Sequence, residues 1–165
     1  MKAVANSSVL IALSAIGQLE LLAHRFPEGI LVPQAVWREV VETGQGQPGA
    51  AQVESVSWIT VSAVQDENLV SLLRMELDEG EAEAIALCCE TQAEAILLDE
   101  KDARRAARRL GLAVLGTVGV LIWAKRAGFV GSLREQLRAL QTQGGFRLSQ
   151  SVYEEALRAV AEVER

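Results

Sequence analysis

The chain has 165 residues, half of them hydrophobic but only 4% aromatic, and a formal net charge of −6. That length suits one domain, spanning 1–165, with a core built from Ala, Leu, Ile and Val rather than from rings. The acidic balance excludes nucleic-acid binding by bulk charge and leaves only a local basic patch for that role.

Lys2–Ala5 reads as a short strand, and Ser7 or Ser8 as the N-cap of a helix over Val9–Ala15. Leu19, Leu21, Leu22 and Phe26 predict a second short helix, and Gly29–Val32 a buried strand stopped by Pro33. Pro33 suits the first turn of a helix carrying Ala35, Val36, Trp37, Val40 and Val41. Thr43–Ala50 reads as a Gly-rich loop, Val56–Val61 as an edge strand and Asn68–Glu76 as a helix. In Leu77–Thr91 a further helix starts near Asp78 or Glu79, with Ala82, Ile85, Ala86 and Cys89 on one face.

Ala95–Leu98 is an unbroken apolar run ending at Asp99, as expected of a parallel strand covered on both faces. Helix over Asp102–Leu110, strand over Leu112–Leu115 and helix over Thr117–Ala127 follow. Leu133–Leu140 and a segment opened by a capping box from Ser151 to Glu154 complete the chain, with 131–165 as an appended part of the same domain. Strands alternating with helices predict an α/β fold: a three-layer α/β/α sandwich around a mainly parallel sheet.

Cys88 and Cys89 adjoin in a helical pattern, cannot staple distant segments, and predict reduced thiols in a cytoplasmic setting. Neither a signal peptide nor an uncharged apolar run of about 18 residues is present, so no membrane segment is expected.

In a parallel sheet, ligands bind beyond the carboxyl ends of the strands. Asn6 and Asp99 end two strands there, and Glu39 and Glu81 reach the same crevice from the helices beside them. Glu81 lies in the first turns of its helix, where the positive end of the dipole favours a carboxylate. Hard oxygen ligands suit Mg²⁺ or Mn²⁺, and no His/Cys set competes for zinc; His24 reads as a surface or packing residue.

The stretches ANSSVLIAL (5–13), LVPQAVWREVV (31–41), LDEGEAEAIAL (77–87), ILLDEKDARRAARRLGL (96–112), GTVGVLIWAKRAG (116–128) and GFRLSQSVYEEAL (145–157) together resemble PIN-domain proteins, metal-dependent nucleases of α/β/α fold. The resemblance covers essentially the whole chain and rests on the ordered set, since no one stretch is specific alone. It implies four acids at one site, corresponding to Asn6, Glu39, Glu81 (with Glu83 as rival) and Asp99, holding Mg²⁺ or Mn²⁺ for hydrolysis of RNA. Ser7 or Ser8 would orient the first acid or the phosphate. It also implies a homodimer, and a toxin role opposite a cognate antitoxin.

The departure is at position 6, where Asn stands in place of the family's Asp. An amide oxygen still ligates Mg²⁺, but it is neutral and cannot bridge two metals, so metal affinity should fall. The rival expectation is therefore a catalytically impaired module that binds RNA or protein.

Lys101, Arg104, Arg105, Arg108 and Arg109 recur at helical spacing and form one basic stripe beginning beside Asp99. On an acidic protein that position suits contacts to an RNA backbone, which would position the strand without reading its sequence. Gly116-Thr117-Val118-Gly119 opens a helix after a strand and reads as tight packing, and Trp37, Trp58 and Trp123 read as core or interface. Glu76, Asp78 and Glu79 read as a solvated helix start.

Overall fold

The computed structural model describes residues 2–162, so Met1 and positions 163–165 of the expected domain lie outside the described residues. In chain order the elements are β1 (Ala3–Ala5), α1 (Ser7–Ala15), α2 (Leu21–Arg25), β2 (Ile30–Val32), α3 (Gln34–Trp37), a π-helical turn (Arg38–Glu42), α4 (Ala50–Ser55) and β3 (Ile59–Val61). There follow α5 (Glu67–Leu73), α6 (Glu79–Thr91), β4 (Ala95–Leu97), α7 (Lys101–Arg109), β5 (Val114–Leu115), α8 (Thr117–Arg126), α9 (Leu133–Thr142) and α10 (Gln150–Ala159). The strands form a parallel five-stranded sheet in the order β3-β2-β1-β4-β5.

The strands are short, but their alternation divides the core into two layers. Ala3, Ala5, Ile30, Val32, Ala95 and Leu97 face a cluster shared with α1, α2, α8, α9 and α10. Val4, Leu31, Ile96 and Leu98 face the other way, onto Ile85, Leu87 and Cys88 of α6 and Ala103 and Ala107 of α7. This is the expected three-layer α/β/α sandwich, and β3 lies at the edge as its sequence suggested. Its central strands, completely buried, are the continuous apolar runs.

Several local expectations shift. Asn6, not Ser7 or Ser8, holds the N-cap position of α1, and both serines fall inside its first turn. The last helix is capped by Ser149, whose hydroxyl accepts from the Val152 N–H, two residues before the expected box. Ala50–Ser55 is helical, and the helix after Pro33 widens into the π-helical turn that carries Glu39. Single-turn widening of this kind is rare and recurs at functional sites. The tryptophans are partly buried against the larger core cluster, and His24 stacks on Phe129 with ring centroids 4.5 Å apart. Cys88 is buried and Cys89 half-buried, both as free thiols. Among the described residues, no helix is long and apolar enough to cross a membrane.

Candidate active site

The carboxyl ends of β1, β2 and β4 open on one side of the sheet, and the chain leaves each through a polar residue or a helix start. Asn6 follows β1 with extended backbone angles and its N–H bonded to the Leu97 carbonyl, which ties it to the neighbouring strand. An N-cap asparagine ordinarily accepts from its own helix, a bond worth about 1 kcal/mol. Asn6 makes no such bond. Its Oδ1 instead lies 3.4 Å from where a β-carbon on Gly80 would stand, and Glu39 Oε2 lies 3.3 Å from the same point. Gly80 thus lets the start of α6 come close to both groups; any side chain there would press on them.

Glu39 is exposed at the rim of the cleft, but its Oε2 accepts from the Ser7 hydroxyl at 2.9 Å. Ser7 is buried and is held by the helix turn that Asn6 begins. The serine therefore orients the second expected acid rather than the first. Ser8 is exposed one position on.

Glu81 is only 7% exposed. It forms a capping box with Asp78: the Glu81 N–H donates to Asp78 Oδ1 at 2.8 Å, and the Asp78 N–H donates to Glu81 Oε1 at 3.1 Å. Asp78 is thus the cap of α6, at the solvated, cap-rich helix start that the sequence suggested. Burial raises the Glu81 pKa, the Asp78 N–H partly offsets this, and the charges of Asp78, Glu100 and Glu39 raise it further. Negative charge accumulates here with no cation among those causes. Glu83, the rival for this place, accepts from the Ala35 N–H at 3.2 Å and is occupied at the start of α3.

Asp99 is half-buried after β4. Its Oδ1 accepts from the Thr117 N–H at 2.8 Å and its Oδ2 from the Thr117 hydroxyl at 2.6 Å. Thr117 is fully buried and was not among the sequence-derived site residues. Its position, where a strand turns into a helix, was the available signal. Gly116 beside it leaves room for both groups, because a β-carbon there would stand 3.0 Å from Asp99 Oδ1 and 2.9 Å from Arg104 Nη1 and would push the guanidinium aside.

The four expected residues therefore occupy one end of the sheet in two halves. Asn6, Ser7 and Glu39 meet at Gly80, Asp99 and Thr117 meet at Gly116, and Glu81 senses Glu39 from its buried position. Among the described residues, no group of three or more His, Cys, Asp or Glu side chains is gathered closely enough to hold a metal ion. Mg²⁺, however, keeps several waters and commonly takes only one or two carboxylates. The oxygens of Asn6 and Glu39 around Gly80, beside the buried carboxyl of Glu81, fit an ion held in that way.

The basic stripe on α7 does not act as a unit. Arg104 is half-buried and shares a groove with Asp99. Arg105 pairs with Asp102 at 3.8 Å, and Arg105 and Arg109 line a separate groove with Glu76. Lys101 and Arg108 are exposed.

A search of solved structures finds a PilT N-terminus domain protein from the hyperthermophilic archaeon Sulfolobus solfataricus P2, at 17% identity and a TM-score of 0.46, covering 73% of this chain and 90% of that one. No curated protein matches. A family model described as PIN domain matches residues 2–162, and members of that family are generally nucleases that use divalent metal ions. The chain belongs to the PIN-domain family.

Proposed function

We propose that this protein is a divalent-metal-dependent ribonuclease that hydrolyses RNA phosphodiesters at the end of the sheet where Asn6, Glu39, Glu81 and Asp99 stand. One observation carries the reading: Asn6 Oδ1 and Glu39 Oε2 converge on Gly80 at the carboxyl end of the sheet, 3.4 and 3.3 Å from where its β-carbon would stand, beside the buried Glu81, whose pKa is raised first by burial and then by the charges of Asp78, Glu100 and Glu39. Polar oxygens held together where parallel strands end, beside a buried carboxylate, are the usual setting of a ligand site in such a sheet.

In this reading Glu39, steadied by Ser7, and the Asn6 oxygen hold Mg²⁺ or Mn²⁺. Asp99 is locked by Thr117 so that its carboxylate cannot swing away. Glu81, with its raised proton affinity, holds a proton near the reacting atoms more readily than an ordinary glutamate does. When bound, the metal supplies an activated water and neutralises charge that builds on the phosphate oxygens. As a nuclease, the protein would take its place as the toxin of a toxin–antitoxin pair and as a homodimer. Sedimentation of the purified chain, and co-purification with the product of an adjacent gene, test those two extensions.

A second reading, a catalytically impaired module that binds RNA or protein, is favoured by Asn6 and by the lack of a three-carboxylate cluster among the described residues. Cleavage of a labelled single-stranded RNA with Mn²⁺, by the protein and by Asn6→Asp, separates the two. Cleavage by both supports the enzyme, and cleavage by the variant alone assigns this chain to the impaired reading. No cleavage and no metal uptake by either overturns the nuclease reading.

A further inference from the structure

The groove that begins at Asp99 does not end at the strands. It runs over β5 and the first turn of α8 and is closed on its far side by 146–149, the segment between α9 and α10, with a volume of about 590 Å³. Arg104 borders it from α7 and Arg147 from that C-terminal segment, while the half-buried Phe146 and Leu148 contribute apolar surface between the two. The segment is held in place: the Phe146 N–H donates to the Leu140 carbonyl at 2.9 Å, Phe146 and Leu148 pack against the main core, and Ser149 is fixed as the cap of α10. Gly116 keeps the passage between Asp99 and Arg104 open, since a β-carbon there would displace the guanidinium.

We infer that this groove is the binding site for the nucleotides flanking the scissile phosphate of single-stranded RNA, with Arg147 a phosphate contact and Phe146 a surface for a base. The inference rests on the nuclease reading for the position of the scissile phosphate. Two arginines at the edges of an apolar floor match the chemistry of a single strand, whose phosphates want cations and whose unstacked bases want aromatic or apolar faces. A duplex hides its bases and offers the floor nothing. The continuity of the groove with Asp99 sets its occupant apart from the ligands of the two other arginines, Arg105 and Arg109, whose groove contains Glu76 and Asp102.

The test is the binding of a short fluorescein-labelled single-stranded RNA, followed by anisotropy in EDTA so that cleavage plays no part. Arg147 is exposed, so Arg147→Ala should fold normally. It should bind roughly tenfold more weakly, and the slope of log affinity against log salt should fall by about 0.7. Phe146→Leu should weaken binding several-fold without changing that slope. Arg138→Ala, on α9 outside the groove, should bind as the parent does. Unchanged affinity and slope in Arg147→Ala would overturn the inference, as would no binding by the parent, or an equal loss for duplex RNA. An equal loss for single-stranded DNA would extend the site to single strands in general and overturn its assignment to RNA.

Calorimetric Mg²⁺ titration keeps the two readings apart. If metal binds but Arg147→Ala keeps full RNA affinity, the groove assignment falls and the nuclease stands. If no metal binds but Arg147→Ala loses RNA, the groove stands and the nuclease falls.

Discussion

Glu81 and Glu162 both place a carboxylate at the start of a helix, yet their protonation shifts in opposite directions. Glu162 sits at the beginning of α9, where burial alone would raise its pKa; the Leu133 and Arg134 N–H groups and the Lys125 ammonium outweigh that and hold it below its ordinary value. Its oxygens accept from Leu133 at 2.6 Å and Arg134 at 3.3 Å, and Lys125 Nζ lies 3.5 Å away. Glu81 accepts from the Asp78 N–H, but burial, and after it the charges of Asp78, Glu100 and Glu39, raise its pKa. A carboxylate with its charge answered holds a fold together. One set among like charges makes the fold less stable when it is ionised, and at the end of a parallel sheet it is a candidate for ligand chemistry.

The largest expected effects break the comparison on the unanswered side. Glu39→Gln and Asp99→Asn should each lower RNA cleavage by roughly 100-fold or more, about 3 kcal/mol of lost transition-state stabilisation. The far-ultraviolet circular dichroism should be unchanged. Cleavage at the parent rate in both variants would leave the cleft without a catalytic role.

Asn6→Asp should sharpen it. A third negative oxygen set near Glu39 and Glu81 should lower the melting temperature of the metal-free protein, because the new charge is buried among like charges. It should also strengthen Mg²⁺ binding, by about tenfold or more, since ligand charge governs such sites. Thermal shift with and without Mg²⁺ reads both changes. A variant that is stabilised without metal and indifferent to it would show that position 6 is no ligand.

The framework of this site was legible in the sequence because it depends on short-range signals. The apolar run of Ala95–Leu98 stops at a charged residue, and the Asp78–Glu81 spacing writes a capping box before an apolar helix. What could not be read depends on distant parts of the chain meeting. Thr117 reaches Asp99 across 18 positions and Ser7 reaches Glu39 across 32. In the sequence Ser7 and Ser8 look as good a cap as Asn6, and only the folded chain shows Asn6 in the cap position with no cap bond and its amide oxygen near Gly80. The basic stripe had the converse problem: helical spacing put five cations together, whereas the neighbouring elements divide them among different grooves.

Glu81→Gln tests the comparison through stability. The folded Glu81 holds its proton to higher pH than the unfolded chain does, so stability falls as pH rises from the ordinary carboxylate value through the raised one. The loss is complete above the raised value. The amide variant escapes that loss. Without metal it should melt about 2–4 °C higher than the parent at pH 8, roughly 1 kcal/mol, and the difference should vanish below pH 4. An equal difference at both pH values would mean that packing, not charge, separates the two proteins.

Glu162→Gln should do the reverse and, in a mostly structural corner, by a similar or smaller amount. Because the folded Glu162 holds its proton less tightly than the unfolded chain, its stabilisation is present above the ordinary carboxylate pKa and disappears as pH falls through the lowered folded value. The amide keeps one acceptor oxygen but loses the Lys125 attraction and one of the bonds to the α9 N–H groups. Denaturant unfolding at pH 7 should therefore show a loss of about 1 kcal/mol that shrinks as the pH falls below the ordinary carboxylate range, with RNA cleavage unchanged in rate. A loss of cleavage equal to that of Glu39→Gln would join this corner to the catalytic cleft and erase the distinction between the two carboxylates. A loss of stability alone would assign Glu162 to the fold, in contrast to the role proposed for Glu81.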